Sequence, residues 1–200
     1  MRAPIDAIKP VAAEIERAGY VVVQNFLENS SCVALAAECR DLYADRQLTP
    51  AATGPHGTRG DIRGDHTFWF EASALTAAQE PYWLVMEALR TALNRELLLG
   101  LDELEAHHAL YPPGTRYAKH RDRFRDDDAR VLSSVLYLNP EWRKENGGQL
   151  RLYPLQNPHV DIYPITGTLV LFLSAEFEHE VLPATRERLS IAGWFRQRTS

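Results

Sequence analysis

The hydrophobic rhythm of the chain changes near its middle. In the first hundred residues apolar positions recur at helical spacing. Ile8, Val11, Ala12 and Ile15 form a stripe within residues 7–18 that Gly19 closes. Residues 20–26, YVVVQNF, read as a strand. Asn29 or Ser30 is placed to cap a helix running to Tyr43, with Val33, Ala36, Ala37 and Arg40 at turn spacing. A longer helix is predicted over 81–99, with Pro81 in its first turn. Between these helices, residues 49–71 are rich in Gly, Pro and Thr before turning aromatic, which predicts a long mobile loop running into a strand.

Beyond residue 100 the helical period gives way to short apolar runs at 103–111, 130–138, 148–153, 168–173 and 188–195. Turn chemistry separates them: Pro112-Pro113-Gly114, Asn139-Pro140, Asn146-Gly147-Gly148 and Thr166-Gly167. Helices early and strands late describe an α+β chain. Its core is expected to be a double-sheet jelly roll whose mouth can take a small ligand, braced from outside by the N-terminal helices. One domain is expected over 1–200, with residues 1–100 as support and loop and 101–200 as most of the jelly-roll core.

Two hundred residues suit a single core. The net charge of −5 offers no basic excess to draw nucleic acid. The basic runs at 119–130 and 186–198 are interleaved with acids and read as solvated rims. No stretch reads as a signal peptide or a membrane span. The two cysteines, Cys32 and Cys39, are seven apart in an expected helix and read as small core residues. These features place the expected setting in the cytoplasm, with no nucleic-acid or membrane partner.

Chemistry enters at His120-Arg121-Asp122. Side chains two apart on a strand point the same way, so His120 and Asp122 can grip one metal while Arg121 faces elsewhere. With His179 they make the two-histidine, one-carboxylate face that holds non-haem Fe(II) and leaves positions open for a cosubstrate and oxygen. An isolated His-x-Asp also arises by chance, so the rest of the site carries the weight. Arg188 opens the strand RLSIAGWF, in which Arg188, Ser190, Ala192 and Trp194 share one face and Leu189, Ile191 and Phe195 the other. A buried arginine requires an anion, and its planar fork suits a carboxylate, with Ser190 as a further donor. That describes a pocket for a dicarboxylate such as 2-oxoglutarate; the rival reading is a strand-edge arginine in a surface salt bridge. Tyr137, on the face of Ser133 and Val135, can lend a hydroxyl to the same carboxylate or bond the backbone, and Leu132, Leu136 and Leu138 point to the helices. Tyr111 reads equally as iron-site wall or core. His107, His108 and His159 read as structural or surface groups, while His56 and His66 flank the long loop.

The segments YPPGTRYAKHRD, LYLNPEW, GGQLRLYP and HEVLPATRERLSIAGWF, with IRGDHTFWFE and GYVVVQNFL upstream, resemble the catalytic domain of the hypoxia-inducible-factor prolyl hydroxylase family, especially its bacterial relatives. The resemblance implies a double-stranded β-helix and a dioxygenase using Fe(II), 2-oxoglutarate and O2, with ascorbate in support. It implies iron ligation by His120, Asp122 and His179, and a cosubstrate pocket of Arg188, Tyr137 and Tyr111. The loop ending in Arg63-Gly64-Asp65 resembles a lid over a proline-containing protein substrate. For the bacterial relatives that substrate is elongation factor Tu, which makes a translation factor the expected partner. Hydroxylation of free proline or another small molecule is the rival enzyme reading; a jelly-roll binding or regulatory protein without catalysis is the other. Ala192 departs from the threonine of the animal oxygen sensors, so their slow kinetics are not implied.

Overall fold

The computed structural model describes residues 5–51, 62–122, 129–155 and 158–198. In chain order its elements are α1 (Ile5–Ala18), β1 (Tyr20–Val23), α2 (Asn29–Ala44), β2 (Thr49–Pro50), β3 (His66–Trp69), α3 (Gln79–Leu97), β4 (Leu101–Tyr111), β5 (Tyr117–His120), β6 (Arg130–Tyr137), β7 (Leu150–Tyr153), β8 (Val160–Ile162), β9 (Leu169–Leu173), β10 (Glu178–Val181) and β11 (Arg188–Gln197). The strands form two antiparallel sheets. The larger runs β1-β9-β6-β11-β4-β3-β2 and the smaller β5-β10-β7-β8. The α+β jelly roll expected from the pattern is what the chain adopts.

One face of the large sheet packs on the helices. Val11 and Ile15 of α1, Cys32, Leu35 and Cys39 of α2, and Tyr82, Met86, Leu89 and Leu93 of α3 join Leu132, Leu136, Leu189, Ile191 and Phe195 in one buried cluster. The opposite face meets the small sheet, where Ala109, Tyr111, Tyr137, Val170 and Phe172 pack against Leu150, Leu152, Phe177 and Val181. Alternation in β11 and β6 divides the residues between these layers as the sequence implied. The two cysteines are free and fully buried on the inner face of α2.

Several boundaries differ from expectation, each for a local reason. β1 stops at Val23 because Asn25 takes a left-handed φ of 53° and Phe26 N–H turns away to the carbonyl of Gly167. The N-cap of α2 is Glu28, without a side-chain cap, so Asn29 and Ser30 fall inside the helix rather than before it. The buried stripe of α2 is Cys32, Leu35, Ala36 and Cys39; Val33 and Arg40, expected on it, are exposed. The three-residue β8 was not anticipated. Of the long loop, residues 52–61 lie outside the described residues, His56 among them, while β2 and β3 bracket it as a short antiparallel pair.

Candidate active site

The register of the large sheet sets out the site like a grid. Across β4, β11 and β6, Ala109 pairs with Ser190 and Ser190 with Tyr137, while Arg188 pairs with Tyr111. Farther along, Ala192 lies between His107 and Val135, and Trp194 between Glu105 and Ser133. Tyr137 and Ser133 are four residues apart on one face of β6, about 13 Å along the strand. The His120, Asp122 and His179 cluster gathers at the Ser133 end and a buried arginine at the Tyr137 end.

His120, Asp122 and His179 offer three ligand atoms that all lie within 4.8 Å of one another. Nε2 of His120 is 3.5 Å from one oxygen of Asp122, and Nε2 of His179 is 3.6 Å from the other. Both rings are turned by their second nitrogen. Nδ1 of His120 lies 2.7 Å from the carbonyl of Ala118, and Nδ1 of His179 3.3 Å from that of Phe177. A carbonyl only accepts, so Nδ1 carries the proton and Nε2 is left as a lone pair facing the carboxylate. His120 and His179 pair directly across β5 and β10, which is why residues 59 apart in sequence meet.

Asp122 corrects one step of the sequence argument. β5 ends at His120, so Asp122 is not two along the same strand. It lies just beyond the strand end, buried while Arg121 is exposed, and the Ser133 hydroxyl donates to its Oδ2 at 2.7 Å. Ser133 in turn contacts the hydroxyl of Ser174 at 2.9 Å. Burial would push Asp122 up, but the neighbouring His179 and His120, together with the Ser133 hydrogen bond, hold it well below the usual carboxylate range. Burial drives His179 the other way, down to about 4. A neutral imidazole and an ionised carboxylate are the protonation states a divalent metal requires.

Arg188 is 1% exposed, and its side chain lies between the rings of Tyr111 and Tyr137, 5.1 Å from each centroid. Nε donates to the carbonyl of Gly148 at 2.9 Å, and Nη1 to Ser190 Oγ at 3.4 Å. Among the described residues, Nη2 and the Tyr137 hydroxyl are buried with no hydrogen-bond partner. Two unsatisfied donors beside a buried cation fit a carboxylate supplied from outside the chain. Beside it Gly147 and Gly148 both take positive φ, and a Cβ on Gly148 would lie 3.4 Å from Cδ of Arg188. A Cβ on Gly147 would lie 2.6 Å from the carbonyl of Pro183. Burial raises the Tyr111 hydroxyl well above its ordinary value, and pushes Tyr137 up to about 12, keeping both as neutral donors.

Arg63 and Asp65 form a bidentate pair at 2.7 and 2.9 Å beside Tyr117, with the Asp65 side chain wholly buried. Beside the metal ligands lies an aromatic floor that sequence reasoning did not assign. It comprises Trp69, half exposed, Trp194, whose indole N–H has no partner, and His107. Arg130 stacks on Trp194 at 3.7 Å while bonded to Glu105. His107 is buried, with Nδ1 2.9 Å from the carbonyl of His108. His108 joins Glu38 on the helix side of the sheet, and His66 packs on Tyr43. Asn139, read only as a turn residue, clamps the carbonyls of Pro164 and Leu189 and the N–H of Leu189, fixing the strand beside Arg188.

Residues 106–196 match the model of the 2OG-Fe(II) oxygenase superfamily. A crystal structure of a Pseudomonas putida prolyl-4-hydroxylase is 45% identical and superposes with a TM-score of 0.88, over 96% of this chain and 100% of that one. A Trichoplax adhaerens prolyl hydroxylase, solved with a peptide of the hypoxia-inducible factor oxygen degradation domain, is 28% identical with a TM-score of 0.90. That match covers 96% of this chain and 90% of the other. The hypoxia-inducible factor prolyl hydroxylase of Caenorhabditis elegans is 30% identical over 92% of this chain, which spans 27% of that protein's length. The register, the histidine–aspartate–histidine cluster and the likeness over nearly the whole chain agree: it belongs to the 2OG-Fe(II) oxygenases and, among them, to the prolyl hydroxylase family.

Proposed function

We propose that this protein is an Fe(II)- and 2-oxoglutarate-dependent dioxygenase that hydroxylates a proline within a protein substrate. One observation carries the reading. A two-histidine, one-carboxylate cluster lies between the same two sheets as a buried arginine whose Nη2, like the Tyr137 hydroxyl, has no partner among the described residues. His120, Asp122 and His179 would hold the iron. Arg188, Tyr137 and Ser190 would hold the distal carboxylate of 2-oxoglutarate, and Tyr111 would wall the pocket. Bound there, iron and cosubstrate supply the oxidation of an unactivated C–H bond by O2, with succinate and carbon dioxide as co-products.

The residues of the chain do the rest. Carbonyls of Ala118 and Phe177 keep both Nε2 lone pairs turned to the metal. Ser133 fixes Asp122, whose carboxylate fills a position that a small residue would leave to a halide. The buried Arg188 end would keep water from the cosubstrate, and the half-exposed Trp69, near Trp194, offers an apolar surface to an entering peptide.

The solved Trichoplax relative holds a peptide, which supports a protein rather than free proline as substrate. Within that class, elongation factor Tu is the first protein to test, in keeping with a cytoplasmic setting. No helix among the described residues is long and apolar enough to cross a membrane. The test is incubation with Fe(II), 2-oxoglutarate, ascorbate to keep iron ferrous, and either elongation factor Tu or free proline. The expected result is a proline heavier by one oxygen in the protein, with stoichiometric succinate, both lost in His120→Ala. Turnover of free proline alone would replace the substrate assignment. Binding of iron and cosubstrate with no turnover on any partner would favour the binding-protein reading.

A further inference from the structure

The ring of His120 is the inner end of a stack that starts outside the metal cluster. Asp65, with no side-chain exposure, grips Arg63 through two hydrogen bonds. The Arg63 guanidinium lies 4.6 Å from the centroid of Tyr117. Tyr117 in turn stacks on His120, centroids 3.6 Å apart and planes 18° from parallel. His120 also meets the tilted ring of His179, with centroids 4.2 Å apart.

The backbone runs in the same direction. β5 is an edge strand whose one partner in the small sheet is β10, and it carries a ligand at its last residue. Segment 62–65 covers the open edge. Arg63 bridges Tyr117, Ala118 N–H donates to the carbonyl of Ile62 at 2.7 Å, and Gly64 N–H donates to that of Arg116 at 2.9 Å. Ala118 is the residue whose carbonyl orients His120 Nδ1. The approach is close enough that a Cβ on Gly64 would lie 2.6 Å from Cβ of Thr115. An irregular edge strand bearing a ligand at its end has little of its own to fix a ring plane, and the added segment supplies it.

We propose that Arg63, seated on Asp65, is a positioning residue for the metal, acting through the ring of Tyr117 to fix the plane of His120. This rests on His120, Asp122 and His179 being the ligands, and on nothing about the substrate. The test uses the full-length chain and Co(II) as probe, reading the dissociation constant and the visible spectrum of the bound ion, with melting of the metal-free protein as a check on folding. Tyr117→Leu, which keeps the Arg63–Asp65 pair, is expected to weaken Co(II) binding about tenfold and to alter the spectrum. Tyr117→Phe, which keeps the ring, should restore both. Arg63→Ala should weaken binding on its own, yet add nothing in a protein already carrying Tyr117→Leu, because its effect passes through that ring. Binding within twofold of the parent in Tyr117→Leu, or full additivity in the double variant, would overturn the proposal. A parent chain that holds no Co(II) would remove the metal site itself. Failure on every proline substrate, with the cobalt results as expected, would touch only the proposed function.

Discussion

Arg188 and Leu189 are neighbours in the chain, equally buried, and belong to different worlds. Leu189 points to the helices, where Leu132, Leu136, Ile191 and Phe195 close around it. Arg188 points between the sheets, where its Nη2 and the Tyr137 hydroxyl find no partner among the described residues. The same two strands, β6 and β11, therefore carry a face filled by apolar packing and a face built around a buried cation. Burial alone does not tell these faces apart. Unpartnered hydroxyls do not either, since Ser134 Oγ and the Tyr82 hydroxyl are among them on the helix side; the buried guanidinium does, because an unpaired charged donor costs far more than a neutral one.

Exchanging the character of one residue on each face should separate ligand binding from folding. Arg188→Leu removes the cation from the inward face and should cost binding rather than folding. Loss of charge-assisted hydrogen bonds to a buried carboxylate is expected to weaken 2-oxoglutarate binding by about 100-fold or more, roughly 3 kcal/mol. The metal-free melting temperature should hold or rise, since an apolar side chain no longer demands a partner. Titration of 2-oxoglutarate into metal-loaded protein checks the first outcome, and cosubstrate affinity equal to the parent's would show that Arg188 is not the anchor. Leu189→Ala should do the converse. A cavity in the helix-facing core is expected to cost about 3 kcal/mol of folding free energy in denaturant titrations. Cosubstrate affinity of the folded fraction should stay near the parent value.

This division was readable in the sequence because strand alternation is strict. Arg188, Ser190 and Trp194 separate from Leu189, Ile191 and Phe195 by parity alone. Arg188 could be placed on the inward face for the same reason, whereas alternation does not account for Asp122, which lies beyond the end of β5. What escaped was whatever depended on a break in regularity or on distant pairing. Tyr117 and His120 are three apart, so parity puts them on opposite faces. A register shift in β5 against β10, where His120 pairs with His179 but Tyr117 with Val181, brings their rings together. Asp122 reaches the site from beyond a strand end, held by a serine 11 residues on. The aromatic floor joins Trp69 of β3 to Trp194 of β11, a contact that exists only once β4 lies between them.

A smaller effect asks whether the inward face also costs stability before any ligand binds. His107 lies on that face, with Asp65, Arg63 and Arg130 near it and its Nδ1 on the His108 carbonyl. Burial pushes its pKa from the ordinary 6.5 down to about 4, so the folded chain keeps it neutral where the unfolded chain protonates it. Between those values the unfolded state binds more protons, and stability is lost as pH falls from about 6.5 towards 4. His179 shifts in the same sense, so the useful quantity is the difference between parent and His107→Gln, both metal-free. The fall in unfolding free energy from pH 6.5 to pH 5 should be smaller in the variant by about 2 kcal/mol. Denaturant titrations at the two pH values measure it. Equal losses in the two proteins would mean that His107 is solvated or charged in the folded state, and that this part of the face is less enclosed than its packing against Trp69 and Trp194 implies.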